Sequence, residues 1–424
     1  MKYDAIDFRK FEIECLTPVY VGSGETLKAF QYIYNSKEQD VIFIDEHKWI
    51  SFLAKHKLMD DFAKYVKNTA EKVASRYKNN YSNTSLWQWL INHRIPIGEI
   101  NDLAIRHSYA RNNVIEPGGG KALNDISCCM SDPTGKPYIP GSTIKGFLRT
   151  AIMFSLIQKN PQLKTKYWSM IENDSSLKNA SKSNYNTFPP QKATLQLLIN
   201  ELLRKIKLVD KYGKPAGNDS TESIMRGLQV SDAFCKEEIQ TEVLRKIDVN
   251  SEKNMNGTRY KVGEHGLSLY RECIPSETKL TFTISVDKRV MGLAGINTVD
   301  DVLKCAREFI VFCNNLQRDI FKAEYNDVLT TIDTADLWIG GGNGFLTKTL
   351  VYALAPDRNS AKQKIAYHLD DVFFDIRKKQ PSHFHKTTDK LLAPRALKIS
   401  YEGHNANVLG LCSIKEIQRV VVED

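Results

Sequence analysis

One run, Tyr138-Ile139-Pro140-Gly141-Ser142-Thr143-Ile144-Lys145-Gly146-Phe147-Leu148-Arg149-Thr150-Ala151, constrains the chain more than any other. Pro140-Gly141 closes a strand, Ser142 stands where a helix cap belongs, and Ile144, Phe147, Leu148, Ala151 and Ile152 fall on one helical stripe. A strand that turns directly into a helix leaves the helix's first N–H groups free at a sheet edge. Here they would lie beside the Ser142–Thr143 hydroxyl pair, with Lys145 and Arg149 one turn apart. Those parts make a phosphate cradle. The GxxxxGK[ST] order is missing, so nucleotide hydrolysis is unsupported.

A second run has a related design. Leu337-Trp338-Ile339 leads into Gly340-Gly341-Gly342-Asn343-Gly344-Phe345-Leu346-Thr347-Lys348, which predicts strand, glycine turn, and a helix with a lysine in its first turn. Glycine allows a sugar-phosphate chain to approach main-chain amides closely, although it serves tight turns equally well.

Elsewhere along the chain the periodicity alternates between two and 3.6. Residues 8–16 (FRKFEIECL) alternate as a half-buried strand, and a glycine loop at 22–24 follows. Runs 29–34 and 41–44 flank a polar turn, and Asp45 is placed to cap a helix bearing Trp49, Phe52 and Leu53. A helical, Lys- and aromatic-rich stretch spans about 46–92, with Ser85 capping LWQWLINH. Pro117-Gly118-Gly119-Gly120 marks an excursion over 108–127 whose return strand is ISCCM. Further on come a basic amphipathic helix at 191–208, a strand RGLQVSDAF and a predicted hairpin, GLSLYREC–Pro275-Ser276–KLTFTISVD. A long helix over 299–324 follows. The class is α+β, and the recurring β-β-α units with a glycine-rich loop before a helix predict two ferredoxin-like (RRM-like) domains, 1–235 and 236–424. The first carries a helical insertion (about 46–92) and a thumb-like excursion (about 108–127).

The 424 residues exceed one ordinary core, and 42% apolar content supports real ones. No apolar run approaches a membrane span and no secretory leader is visible, so a cytoplasmic protein is expected. Eight scattered cysteines without a CxxC pair read as reduced and mostly buried. Net charge is +9, and it is localised: residues 136–214 hold 14 Lys or Arg against 4 Asp or Glu, while the flanking parts are nearly balanced. Such a concentration fits a polyanion, because phosphate contacts release condensed counterions.

The blocks YIPGSTIKGFLRTAI, VSDAF, LYRECIPSETKLTFTI and WIGGGNGFLTKTL, in this order, resemble the RAMP superfamily of CRISPR-associated RNA-binding proteins. Together with GHNAN near the end they are most similar to subunits of type III-A (Csm) effector complexes. The resemblance implies a non-catalytic subunit that caps the backbone filament, holds the 3′ part of the crRNA and helps define its mature length. The implied partners are crRNA and target RNA, neighbouring Csm backbone RAMP subunits, a small helical subunit and host nucleases that trim the crRNA. No cofactor and no metal are implied. The implied RNA-binding residues are Gly141, Ser142, Thr143, Lys145 and Arg149 in the first run, with Gly340, Gly341, Gly342, Asn343, Gly344 and Lys348 in the second. Arg111 and Lys121 belong to the thumb, which in related subunits wedges into the guide–target duplex.

The alternative is a RAMP endoribonuclease acting through Glu25, near which target-cutting relatives carry an acidic residue, or through His47 as a general base. His383 and His385 lie in a polar loop without a third metal ligand. Trp87, Trp89, Phe373 and Phe374 could stack on bases but are expected in the core.

Overall fold

The protein is described from a computed structural model that covers residues 5–74, 85–110, 125–173, 190–253, 260–375 and 377–419. Arg111, Lys121 and most of the expected thumb lie outside the described residues.

Strands β1 (Ile6–Cys15), β2 (Gly22–Leu27), β3 (Tyr32–Asn35) and β4 (Asp40–Ile44) precede helices α1 (Glu46–Lys55), α2 (Met59–Ala74), α3 (Leu86–Asn92) and α4 (Ile97–Asn101). Then β5 (Ala104–Tyr109), β6 (Ile126–Cys129) and β7 (Tyr138–Ile139) lead to α5 (Gly141–Gln158), α6 (Pro161–Glu172) and α7 (Pro190–Leu203). Next come β8 (Leu228–Val230), β9 (Ala233–Cys235), β10 (Thr241–Lys253), β11 (Tyr260–Cys273) and β12 (Lys279–Asp287), followed by α8 (Lys288–Met291) and α9 (Val299–Thr334). The last part holds β13 (Leu337–Trp338), α10 (Val351–Leu354), α11 (Arg358–Val372), β14 (Phe374–Asp375), β15 (Gln380–Pro381) and α12 (His385–Thr388). It ends with β16 (Ala396–Glu402), β17 (Asn405–Asn407) and β18 (Leu411–Arg419).

Two sheets organise these elements. Sheet one has the order β13-β18-β1-β12-β9-β7, with β8 also on β12. The alternation in β1 puts Phe11 and Ile13 opposite Phe282 and Leu280 of β12, so both strands present one apolar face. Helices α5 and α9 cover it, with Phe147 and Phe154 against Phe309 at 6.0 and 5.3 Å between ring centroids. The connectivity β1, α5, β8/β9, β12, α9, β18 is strand–helix–strand–strand–helix–strand, and the expected boundary at 235/236 falls inside it: β1, β7 and β9 come from one side, β12, β13 and β18 from the other. Arg9 locks the layer. Buried among apolar residues, it bonds Asp7 at 2.9 Å, Asp300 at 2.8 Å and Glu416 at 3.2 Å, while Asp7 also accepts the Val299 amide. Burial works against the Asp7 charge, but the Arg9 and Val299 bonds win and hold its carboxyl below the usual range.

Sheet two has the order β2-β6-β11-β10-β5-β4-β3, with β16 on β10 and β17 on β16. Its centre holds a fully buried carboxylate, Glu272, which takes the Arg106 fork at 2.7 and 2.8 Å, the Thr241 hydroxyl and the Cys129 amide. A buried charge survives only when matched this completely. Helices α1–α4 form a satellite core with β3 and β4, including Trp49, Phe52, Leu86 and Leu90. Asp45 and Ser85 cap α1 and α3 as their sequences require.

Several expectations are corrected. β11 and β12 are not a hairpin: β11 pairs with β10 in sheet two, and β12 pairs with β1 in sheet one. The Pro275–Thr278 link crosses between sheets, pinned by Val19–Ile274 pairing and the Cys15 amide on Thr278. RGLQVSDAF is broken into β8 and β9, because Ser231 leaves the strand to accept the Thr283 amide through its hydroxyl. Residues 22–24 belong to strand β2. The long helix continues to Thr334 through a kink at Tyr325. Phe373 and Phe374 are exposed, since they follow the end of α11 on a two-stranded ribbon away from either core. All eight cysteines are free and seven are buried.

Candidate nucleic-acid interface

Helix α5 starts two residues earlier than a cap at Ser142 predicts. Pro140 takes the cap position without a side-chain bond, and Ser142 lies inside the first turn. The cap comes from elsewhere: Asp232, between β8 and β9, accepts the Gly141 amide at 2.7 Å. A Cβ at residue 141 would sit 2.3 Å from the Val230 carbonyl oxygen, so only glycine lets the helix dock this close. The apolar stripe Ile144, Phe147, Leu148, Ala151 and Ile152 is buried as predicted. Ser142 is exposed, and Thr143, Lys145 and Arg149 are half-buried beside it. Desolvation lowers the pKa of both Lys145 and Arg149. No described residue bonds to or pairs with either side chain.

The second run begins at the far edge of sheet one, after β13. Its glycines are folded onto the chain itself. The Gly341 amide donates to the Tyr20 carbonyl at 2.7 Å, and a Cβ at Gly340 would stand 2.3 Å from that same oxygen. Gly342, at φ +89°, lies under the Arg271 guanidinium, which in turn covers the Tyr20 ring at 5.1 Å. Asn343 is buried and donates to the Trp338 carbonyl at 3.3 Å. The predicted helix start is corrected here: Leu346–Lys348 form a single 3-10 turn, and Thr349 is extended at φ −119°, ψ 146°. Lys348 is exposed overall, yet protein atoms crowd its ammonium; that desolvation, with the like charge of Arg271, lowers its pKa. Lys246 and Lys398 stand nearby on Asp248 at 3.4 and 2.6 Å. Burial and the Lys398 charge lower the Lys246 pKa.

Helix α5 crosses the layer and packs against both β13 and the 346–348 turn, so the two runs share one body. Glu25 and His47 are not brought together. Glu25 is exposed on β2, an edge strand of sheet two, whereas His47 is exposed in the first turn of α1 beyond β4. His385 bonds Asp389 through Nδ1 at 2.8 Å, and no group of three or more possible metal ligands occurs among the described residues. Trp87 and Trp89 pack on the satellite core. Asp232, Arg271, Lys246 and Lys398 were missed by sequence reasoning. Asp232 sits in VSDAF and Arg271 in LYREC, but no spacing pattern links them to residues 141 or 342.

A family model described as the RAMP superfamily matches residues 12–347. The chain belongs to the RAMP superfamily. Among curated relatives, a Mycobacterium tuberculosis protein named "CRISPR system Cms protein Csm5" is 25% identical over 422 residues, covering 95% of this chain and 96% of its own. One of the same name from Streptococcus thermophilus is 23% identical over 347 residues, 81% of each chain. A chain from the solved structure titled "Cryo-EM structure of Csm-crRNA-target RNA ternary complex in type III-A CRISPR-Cas system" shares the fold at a TM-score of 0.57. That match is 13% identical and covers 96% of this chain and 100% of that one. Among the described residues of this RAMP no helix is long and apolar enough to cross a membrane.

Proposed function

We propose that this chain is a non-catalytic, crRNA-binding subunit of a type III-A (Csm) effector complex that closes the backbone filament at the 3′ end of the guide. The relatives named Csm5 match it over most of their length, which supports membership of such a complex. The observation that carries RNA binding is the set of cations Lys145, Arg149 and Lys348, each partly stripped of water and given no acidic partner among the described residues. Removing water from a cation is unfavourable, and a phosphate offsets that cost while releasing its own counterions. These residues position a strand without reading its sequence. Sheet one with α5 and α9 is the ferredoxin-like (RRM-like) unit of this reading, and the thumb role of Arg111 and Lys121 belongs to the same proposal.

The test is reconstitution of the effector with and without this chain, followed by sequencing of the bound RNA. The expected outcome is a uniform crRNA 3′ end only when the chain is present. Identical 3′ ends in both preparations would remove the capping role. Incubating the purified chain with labelled RNA, with and without divalent metal, is expected to leave the RNA intact.

A further inference from the structure

The glycine run borders a pocket of about 240 Å³. Phe345, Pro394 and Leu397 give it apolar walls, and Gln317, Asn343 and Lys348 supply its polar groups. Among the described residues, the two buried amides each have an atom that meets no partner. Gln317 is 3% exposed and its Nε2 donates to nothing; Asn343 is 6% exposed and its Oδ1 accepts nothing. The Asn343 amide is not free to turn round, because its Nδ2 is engaged on the Trp338 carbonyl. A buried polar atom left unbonded is costly, and native chains carry few. Both residues line the pocket with these atoms sealed at its wall, so a ligand whose edge offers the complement would meet them once either side chain turns outward.

A nucleobase has that form. Its two faces are apolar, its edge sets a donor beside an acceptor, and proteins that read single-stranded RNA receive such bases between side chains. Lys348, exposed on the same pocket and unpaired, matches the adjoining phosphate. Lys398 also borders it, but its charge is already taken by Asp248. We propose that this pocket holds one unstacked base of the bound RNA strand, hydrogen-bonded by Gln317 and Asn343, with the neighbouring phosphate on Lys348. The assignment rests on the RNA-binding reading of the same site and adds that one nucleotide is gripped by its base, where Lys145 and Arg149 hold only backbone.

The test uses the full chain and a single-stranded RNA in which one abasic nucleotide is walked along the sequence, with affinity measured at each position. One position is expected to lose about tenfold in affinity when its base is removed, in line with the usual contribution of a base seated in protein. Gln317→Leu is expected to erase that position's excess while leaving thermal stability equal or higher, since it removes an unbonded buried amide. Equal affinity at every abasic position, with RNA binding intact, would mean that the pocket holds ordered water only and would overturn the proposal alone. A sensitive position that Gln317→Leu leaves unchanged would place the base elsewhere and overturn it too. Loss of all RNA affinity from the wild-type chain would overturn the RNA-binding reading, and this assignment with it.

Discussion

At residue 141 the chain enters a helix of 18 residues whose first amide is held by its own Asp232; at residue 340 it enters a loop whose amides and glycines are spent on Tyr20 and Arg271. The first is rigid because a helix axis and a neighbouring strand fix it. The second is held by close approach of backbone to backbone and ends in a single 3-10 turn. In both, a glycine amide expected to face a ligand is engaged within the protein, that of Gly141 on Asp232 and that of Gly341 on Tyr20. The comparison teaches that Gly141, Gly340 and Gly342 each allow a close approach that a Cβ would block, whereas the anion contacts proposed above fall to Lys145, Arg149 and Lys348.

The sharpest way to break this comparison is Gly141→Ala. A Cβ 2.3 Å from a backbone oxygen cannot be accommodated by a side-chain shift, so a loss on the order of 3 kcal/mol in denaturant unfolding is expected. Next in size is Lys145→Ala with Arg149→Ala. Each lost phosphate contact removes about 0.7 from the slope of log affinity against log salt on single strands, so the pair is expected to flatten it by roughly 1.4 with little sequence preference. An unchanged slope would leave α5 without RNA. Gly344→Ala provides the counterpart to the first variant: residue 344 has φ +88°, but only the Lys398 stem lies near a new Cβ, at 3.7 Å. Its expected cost is about 1 kcal/mol, the left-handed penalty alone. A cost equal to that of Gly141→Ala would erase the distinction between the two runs.

The smallest effect concerns pH. Desolvation and Arg271 place the Lys348 pKa below that of an ordinary lysine, so its charge is lost at a lower pH as the solution is made alkaline. RNA favours the charged form. Affinity measured from neutral pH upward is therefore expected to fall a few-fold before an unperturbed lysine would titrate, near 10.4. Lys348→Arg should lessen that early decline and leave the part due to Lys145, whose pKa burial also lowers, because a guanidinium stays protonated throughout.

Sequence made the local part of this architecture legible. The caps at Asp45 and Ser85, the α5 stripe and the β1 alternation depend on neighbours a few residues away, and each is found where its pattern places it. Partner choice was not legible. Lys279–Asp287 alternates as a strand of either sheet would, and periodicity reports which face is buried without naming the strand beside it. Its pairing with β1 depends on residues more than 260 positions earlier. Glu272 within LYREC could not be recognised as a buried hub, because its partners Arg106, Thr241 and Cys129 come from three separate strands. The helix expected after Gly344 failed for a local reason, the extended backbone at Thr349.

β1 lies in the sheet between β12 and β18, whose residues follow it by hundreds of positions. Loop closure of that span must precede the pairing, which slows such topologies. On the ribosome one flank of β1 stays unpaired until β12 (Lys279–Asp287) has emerged, and the other until β18 (Leu411–Arg419) has. An unpaired strand edge is a template for foreign strands, so β1 is open to such pairing over that interval.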